Sequence, residues 1–256
     1  MSEEFMGGGA QMPTMEATIK ASRDYTQNMV NNSGTGLGVT YDTGVVFVGY
    51  KNLPKSKLMV PDSVKKVYEI DDNIGIVYTG AVSDLRVLID PPPGFGMPGA
   101  RQYSQQYKLK YNELPDVEEM VDFTSEIQRQ YDKNRLRGLG LDVALLMGGI
   151  NVDGDEKSEL YTLDIMGNYA GYKATAIGKH KDEVNELFER DYKDGMNLEE
   201  AKELAFDALV SSHIDEDLIP DYIECSVIDK GNKYKALNND EIKELVDKAS
   251  SKLKVE

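Results

Sequence analysis

Residues 36–50, GLGVTYDTGVVFVGY, are two β-branched runs joined by Asp42-Thr43-Gly44. No other feature of the chain limits its fold so strongly. A glycine-bearing turn between such runs specifies a hairpin, so strands at 37–41 and 45–50 are antiparallel neighbours. A second pair, 66–70 and 74–79, turns at Asp71-Asp72-Asn73. Its apolar positions alternate only in part, as expected of strands covered on both faces. Helices are expected at 81–90, 100–112 and 116–133, the last with Val117, Met120, Val121 and Ile127 on one face. Strands follow at 141–149, 159–163 and 171–177, the first nearly all apolar and therefore central. Two helices come next, near 181–193 and 197–212. Asn197 caps the second, and Leu198, Ala201, Leu204, Ala205 and Leu209 form its buried stripe. Strands at 222–228 and 232–236 lead into a closing helix from Asn239, with Ile242, Leu245, Val246 and Leu253 inward. Hairpin-linked strands with helices gathered in groups describe an α+β protein, antiparallel sheets flanked by helices, rather than alternating βαβ units.

Ahead of the first hairpin, residues 1–15 carry Gly7-Gly8-Gly9 and four methionines and read as a flexible arm. Residues 16–32 hold no proline or glycine and are expected to be helical, with Ile19, Arg23, Met29 and Val30 loosely spaced on one face. Between this helix and the first strand stands SGTGLG, 33–38. A phosphate-binding loop needs its glycines after a strand and before a helix, and here the order is reversed. No lysine follows in the P-loop pattern either. Two readings remain open: a plain strand start, or a Gly34-Thr35 processing site that frees a threonine nucleophile. Farther on, PPPGFGMPG at 91–99 interrupts the helical pattern with a loop no helix can carry.

At 256 residues with 40% apolar and 29% charged side chains, the chain suits one large domain, taken as 16–256 with the 91–99 insertion. The formal charge of −16 repels a nucleic-acid backbone. Lysines gather at 51, 55, 57, 65 and 66, but without the interleaved aromatics that single-stranded binding uses. His180, His213 and Cys225 show no ligand spacing, and the acidic stretch 151–159 has Glu156 where a calcium loop needs glycine. No metal, cofactor or nucleic acid is therefore expected. Lacking a membrane-length apolar run or signal-peptide pattern, and with a single cysteine, the chain is expected to be cytoplasmic.

Several segments carry a family resemblance: SKL (56–58), SVKKVYEIDDNIG (63–75), TGAVSDLRVLID (79–90), GYKATAIG (171–178) and LIPDYIECSVI (218–228). In this order and spacing, the chain resembles the proteasome α subunits, most like those of archaea. The resemblance implies the four-layer αββα sandwich of the N-terminal-nucleophile hydrolases. It also implies a non-catalytic subunit of the core particle, forming a seven-fold ring with sister α subunits. Such rings stack on proteolytic β subunits, gate passage through the axial opening and dock an activating ATPase.

Matched residue by residue, Gly38 takes the family's first-strand glycine, which puts Gly34 at the nucleophile's place. Tyr50 falls at the acid's place and Lys66 matches the catalytic lysine. A lysine without nucleophile or acid is not a catalytic set, so no catalytic residue is expected. In α subunits the matching lysine pairs with an activator's C-terminal carboxylate, which assigns Lys66 to that pocket. Asp24-Tyr25 match a Glu-Tyr pair in the helix that mediates ring assembly. An active threonine hydrolase processed at Gly34-Thr35, or a free-standing ring without a proteolytic partner, are the alternatives.

Three departures from the family stand out. MGGGAQMPTMEA replaces the Tyr-Asp-Arg and Ser-Pro-Asp-Gly gate residues, and the 50–57 loop is one residue longer. The 91–99 insertion, with Phe95 and Met97 expected at its surface, breaks a helix the family continues. LRGLGLDVALL also stands where an Arg-Pro-aromatic-Gly run precedes the central strand.

Overall fold

A computed structural model describes residues 14–94, 96–151, 157–214, 218–231 and 233–253. The chain opens with α1 (Met15–Asn32), then β1 (Gly34–Tyr41), β2 (Gly44–Lys51), β3 (Val67–Asp71) and β4 (Ile74–Gly80). Helices α2 (Val82–Ile89), α3 (Ala100–Tyr111) and α4 (Val117–Lys133) follow. Next come β5 (Val143–Ile150), β6 (Ser158–Leu163), β7 (Tyr169–Gly171) and β8 (Ala174–Gly178). The chain finishes with α5 (Lys181–Asp191), α6 (Leu198–Ser212), β9 (Ile223–Asp229), β10 (Lys235–Ala236) and α7 (Asn239–Leu253). Both expected hairpins form, and every strand pairing is antiparallel.

One sheet runs β10-β9-β2-β1-β8 and the other β3-β4-β5-β6-β7, with the apolar β5 central as expected. Side chains on a strand alternate faces, and here both faces are covered. In β2, Val46 and Val48 join a core with Phe206, Leu209 and Ile242 of α6 and α7. Their neighbours Val45 and Phe47 meet Val77, Leu146 and Leu160 of the other sheet. Leu145 and Met147 then point outward to Leu85, Leu88 and Met120 of α2 and α4. Three stacked cores make four layers, helix–sheet–sheet–helix. This is the αββα sandwich, and it explains why β1 and β2 are buried along their whole length.

Several boundaries differ from the sequence reading; the strand expected at 232–236 is only Lys235–Ala236 among the described residues. The expected strand 171–177 is two strands in different sheets: β7 pairs with β6, β8 with β1. The break at Tyr172-Lys173 carries the chain across, with the Tyr172 N–H donating to Leu160 O and the Lys173 carbonyl accepting from Thr40. Thr14 and Met15, assigned to the arm, belong to α1: Thr14 is its N-cap and accepts from the Ala17 N–H. The rest of the arm lies outside the described residues.

The insertion leaves the helix layer intact because its ends are pinched together. A Cβ on Gly99 would lie 2.4 Å from Pro91 and 2.5 Å from the Ile89 carbonyl oxygen. Across this neck the Arg101 guanidinium reaches Asp90 and the Glu69 carbonyl. Met97, expected at the surface, is half-buried against the α2–α4 core. Phe95 and the acidic turn at 152–156 lie outside the described residues.

Candidate functional site at the start of strand β1

The site is built where α1 hands over to β1. Ser33 ends the helix, its hydroxyl donating to Val30 O and accepting from the Gly80 N–H at 2.6 Å. Gly34 follows with φ +108°, a left-handed conformation that favours glycine. A Cβ there would stand 2.5 Å from Tyr50 O and 3.3 Å from Lys66 Nζ. Position 34 thus faces Lys66 but has no room for a side chain. Both the backbone and the space select glycine.

Lys66 precedes β3 and is buried. Its ammonium donates to Ser33 O at 3.0 Å and lies 4.9 Å above the centre of the Tyr78 ring. Burial pushes its pKa down to about 7, against a smaller upward pull from Glu224. That carboxylate is engaged elsewhere: it accepts the backbone N–H of Lys66 and Val67 and pairs with buried Lys51 at 2.7 Å.

Thr35 and Tyr50 are register partners, one step along from the Gly34–Lys51 pair. Their side chains therefore point to the other face of the sheet. Thr35 is fully buried, donates to Lys179 O at 2.8 Å, and lies 3.3 Å from His213 Nε2. The Tyr50 ring meets His213 edge-on at 5.1 Å, away from Lys66. Gly34 and Lys66 are brought together, then, while Tyr50 in the acid's place is turned away.

His180 and His213, separate by sequence spacing, have ring centroids 4.5 Å apart. Nothing in the sequence signalled this pairing, because the two residues lie on opposite ends of the α5–α6 unit. Cys225 is buried in the same layer's core, where its thiol pKa is pushed up to about 12 by desolvation. Among the described residues no group of three or more His, Cys, Asp or Glu is placed to hold a metal.

A sequence profile of the family "Proteasome subunit" matches residues 30–228. The chain is 34% identical to the proteasome subunit alpha of Methanothermobacter thermautotrophicus over 226 residues, 88% of this chain and 85% of that one. It is 31% identical to the same subunit of Archaeoglobus fulgidus, covering 90% of this chain and 88% of that one. With Thermococcus sibiricus the identity is 34%, over 91% and 84%. The chain belongs to the proteasome α-subunit family. Membership makes it a proteasome subunit, a protein of the protein-degradation machinery that assembles with other proteasome subunits.

Asp24 and Tyr25, matched to the family's assembly helix, are both exposed on α1. The helix is held chiefly through its other residues. Thr26 donates to Asp142 at 2.7 Å and accepts from Arg135, whose guanidinium also holds Asp132, Asp142 and Leu141 O. Arg23 joins at Asp132. Sequence reading missed Arg135. Its signal was the nearby Gly140, where a Cβ would come within 2.6 Å of the guanidinium carbon. No described helix is long and apolar enough to cross a membrane.

Proposed function

We propose that this chain is a non-catalytic α subunit of a proteasome core particle. It forms a seven-membered ring with sister α subunits, and that ring stacks on proteolytic β subunits. The observation that carries the reading is Gly34 facing Lys66. Of a nucleophile–lysine pair, only the lysine is left, and the nucleophile's position has neither a side chain nor space for one. Thr35 does not substitute, since its hydroxyl is buried on the opposite face beside His213.

In this reading the residues ahead of Thr14 bear on the axial opening. Lys66 receives the C-terminal carboxylate of an activating ATPase, a charge-assisted contact. A pKa near neutrality supports that role, because an arriving carboxylate favours the ammonium form and recovers part of the desolvation cost.

Electron microscopy of the chain purified alone and with a proteasome β subunit of the same organism tests the assembly. Seven-fold rings capping β rings are expected. Peptidase activity of the chain alone, or an intact mass lacking the residues up to Gly34, would restore the hydrolase reading. Rings that never engage β subunits would restore the free-standing one. Lys66→Ala should abolish ATPase docking and leave rings intact; unchanged docking removes Lys66 from the pocket.

A further inference from the structure

Strand β3 is the outer strand of its sheet, hydrogen-bonded to β4 on one side only. The Lys66 carbonyl accepts from the Tyr78 N–H, so by antiparallel alternation the ladder bonds fall on Lys66 and Tyr68. Val67 and Glu69 therefore turn their N–H and C=O outward. An open edge of this kind is a template for another chain, and proteins commonly blunt it. Here two side chains do so. Glu224 of β9 accepts the Val67 N–H at 2.9 Å, and Arg101 of α3 donates through Nε to the Glu69 carbonyl at 2.8 Å. Between these stoppers, the Val67 carbonyl and the Glu69 N–H meet no partner among the described residues.

The gap opens into a groove of about 290 Å³ between this edge and the start of α7, with Tyr234, Leu237 and Ile242 as its apolar wall. Lys51, Lys65 and Arg101 line it against Asp62, Glu69 and Glu224. With its charges balanced, the groove favours no ligand of net charge. The two stoppers nevertheless set a direction along β3: a carboxylate at the Val67 end, a guanidinium at the Glu69 end. Glu224 already accepts two N–H groups and the Lys51 ammonium. A carboxylate has about four acceptor sites, which leaves it one more.

A free carbonyl followed two residues later by a free N–H is what one residue of a parallel neighbour bonds, through its own N–H and C=O. An antiparallel neighbour needs both groups of a single residue, and Val67 and Glu69 each have one taken. The gap thus accepts a segment running in the direction of β3, with one residue opposite Tyr68. Extended further at either end, that segment would need the Val67 N–H or the Glu69 carbonyl, and both are occupied. A chain that stops short on each side instead brings its terminal ammonium to Glu224 and its terminal carboxylate to Arg101. Three residues at about 3.3 Å each cover this span. Tyr68 faces the α2–α4 core and Val67 the space between the sheets, so the first and third side chains turn toward Tyr234 and Leu237.

We propose that the edge of β3 binds tripeptides with free ends, Glu224 receiving the ammonium and Arg101 the carboxylate. Hydrolysis of a peptide bond leaves one free carboxylate and one free amine, so the ligand is of the kind that protein degradation yields. The site is separate from Lys66, whose ammonium is turned to Ser33 O. It goes beyond the assembly reading above and stands or falls independently of it.

Calorimetric titration of the full-length chain with the tripeptide Val-Ala-Leu, its N-acetyl form and its C-terminal amide tests this. Saturable binding of the free tripeptide at millimolar concentration is expected. Blocking either end should weaken it about tenfold or more, the loss of one charge-assisted hydrogen bond. Hydrogen exchange over residues 67–71 should slow on binding, because the Glu69 N–H gains an acceptor. Arg101→Gln should erase the difference between the tripeptide and its amide and keep the penalty for N-acetylation. Lys66→Ala should bind as the wild type does. Absent binding, equal binding of free and blocked peptides, or slowed exchange elsewhere but not at 67–71 would each overturn the site. So would loss of binding in Lys66→Ala, which puts the peptide in the Lys66 pocket. Should Arg101→Gln fail to fold, the peptide series on the wild-type chain decides alone.

Discussion

The two halves of α1 have the same secondary structure and opposite circumstances. From Thr26 to Asn32 the helix is fastened by a buried valine, a buried threonine and the Arg135 network, and it ends on Ser33 over Lys66. From Met15 to Tyr25 it shows two residues above 70% exposure and, apart from Arg23, touches the body lightly. One half is part of the folded domain. The other is a presented surface beside an open groove.

The strongest way to break this contrast is Arg135→Ala. It leaves Asp132 nearly buried with less compensation, removes a partner from Asp142, and takes a donor from Thr26. Removing one member of a buried ion network costs about 3–5 kcal/mol. For a domain this size that is on the order of 10 °C in thermal unfolding. A loss below about 1 kcal/mol would mean that the second half is held by something else. Val30→Ala comes next, at about 2 kcal/mol by urea unfolding, through the cavity it opens between Ala144 and Ile165.

Lys66 sharpens the comparison at the helix's end. Its pKa falls from the ordinary 10.5 to about 7 on folding. The unfolded chain therefore holds a proton that the folded chain releases between these values, and stability rises with pH across about 7 to 10.5. Below pH 7 the burial cost is present in full. Lys66→Met should be stabilising at pH 6 relative to wild type by on the order of 1–3 kcal/mol, with the gap closing by pH 10. Parallel curves for the two proteins would show that Lys66 does not titrate there. The smallest effects are expected in the free half: Met15→Ala and Tyr25→Ala should change the stability of the dissociated chain by less than about 0.5 kcal/mol. A larger loss would show that these side chains already pack within the monomer.

Much of this was legible in the sequence. β-branched and apolar runs joined by Gly and Asp turns dictated the hairpins, and the buried stripes of α4 and α6 follow the spacing of their apolar residues. The capping box at Asn197 and Glu200 forms as the residue types demand. Gly34 opposite Lys66 was found through the family pattern, with 31 residues between them in the chain. What failed was of another kind. The single strand expected at 171–177 has no turn signal within it, and only the competing demands of two sheets break it. Met97 read as exposed in a Pro-Gly loop, yet the pinched neck folds it back onto a core.

The sequence by itself determined what is local: which segments are strands, where they turn, which helical faces are apolar, and that position 34 carries no nucleophile. These follow from side-chain period, turn chemistry and residue identity, all read within a few positions. Only the tertiary structure decided what depends on distant groups converging. It turned Thr35 toward His213 and away from Lys66, and it buried Lys66 until its charge became costly. It gave Glu224 to Lys51 and to the edge of β3, and it left half of one helix over an open groove. Burial and electrostatic partners are sums over residues far apart in the chain, so no short stretch of sequence contains them.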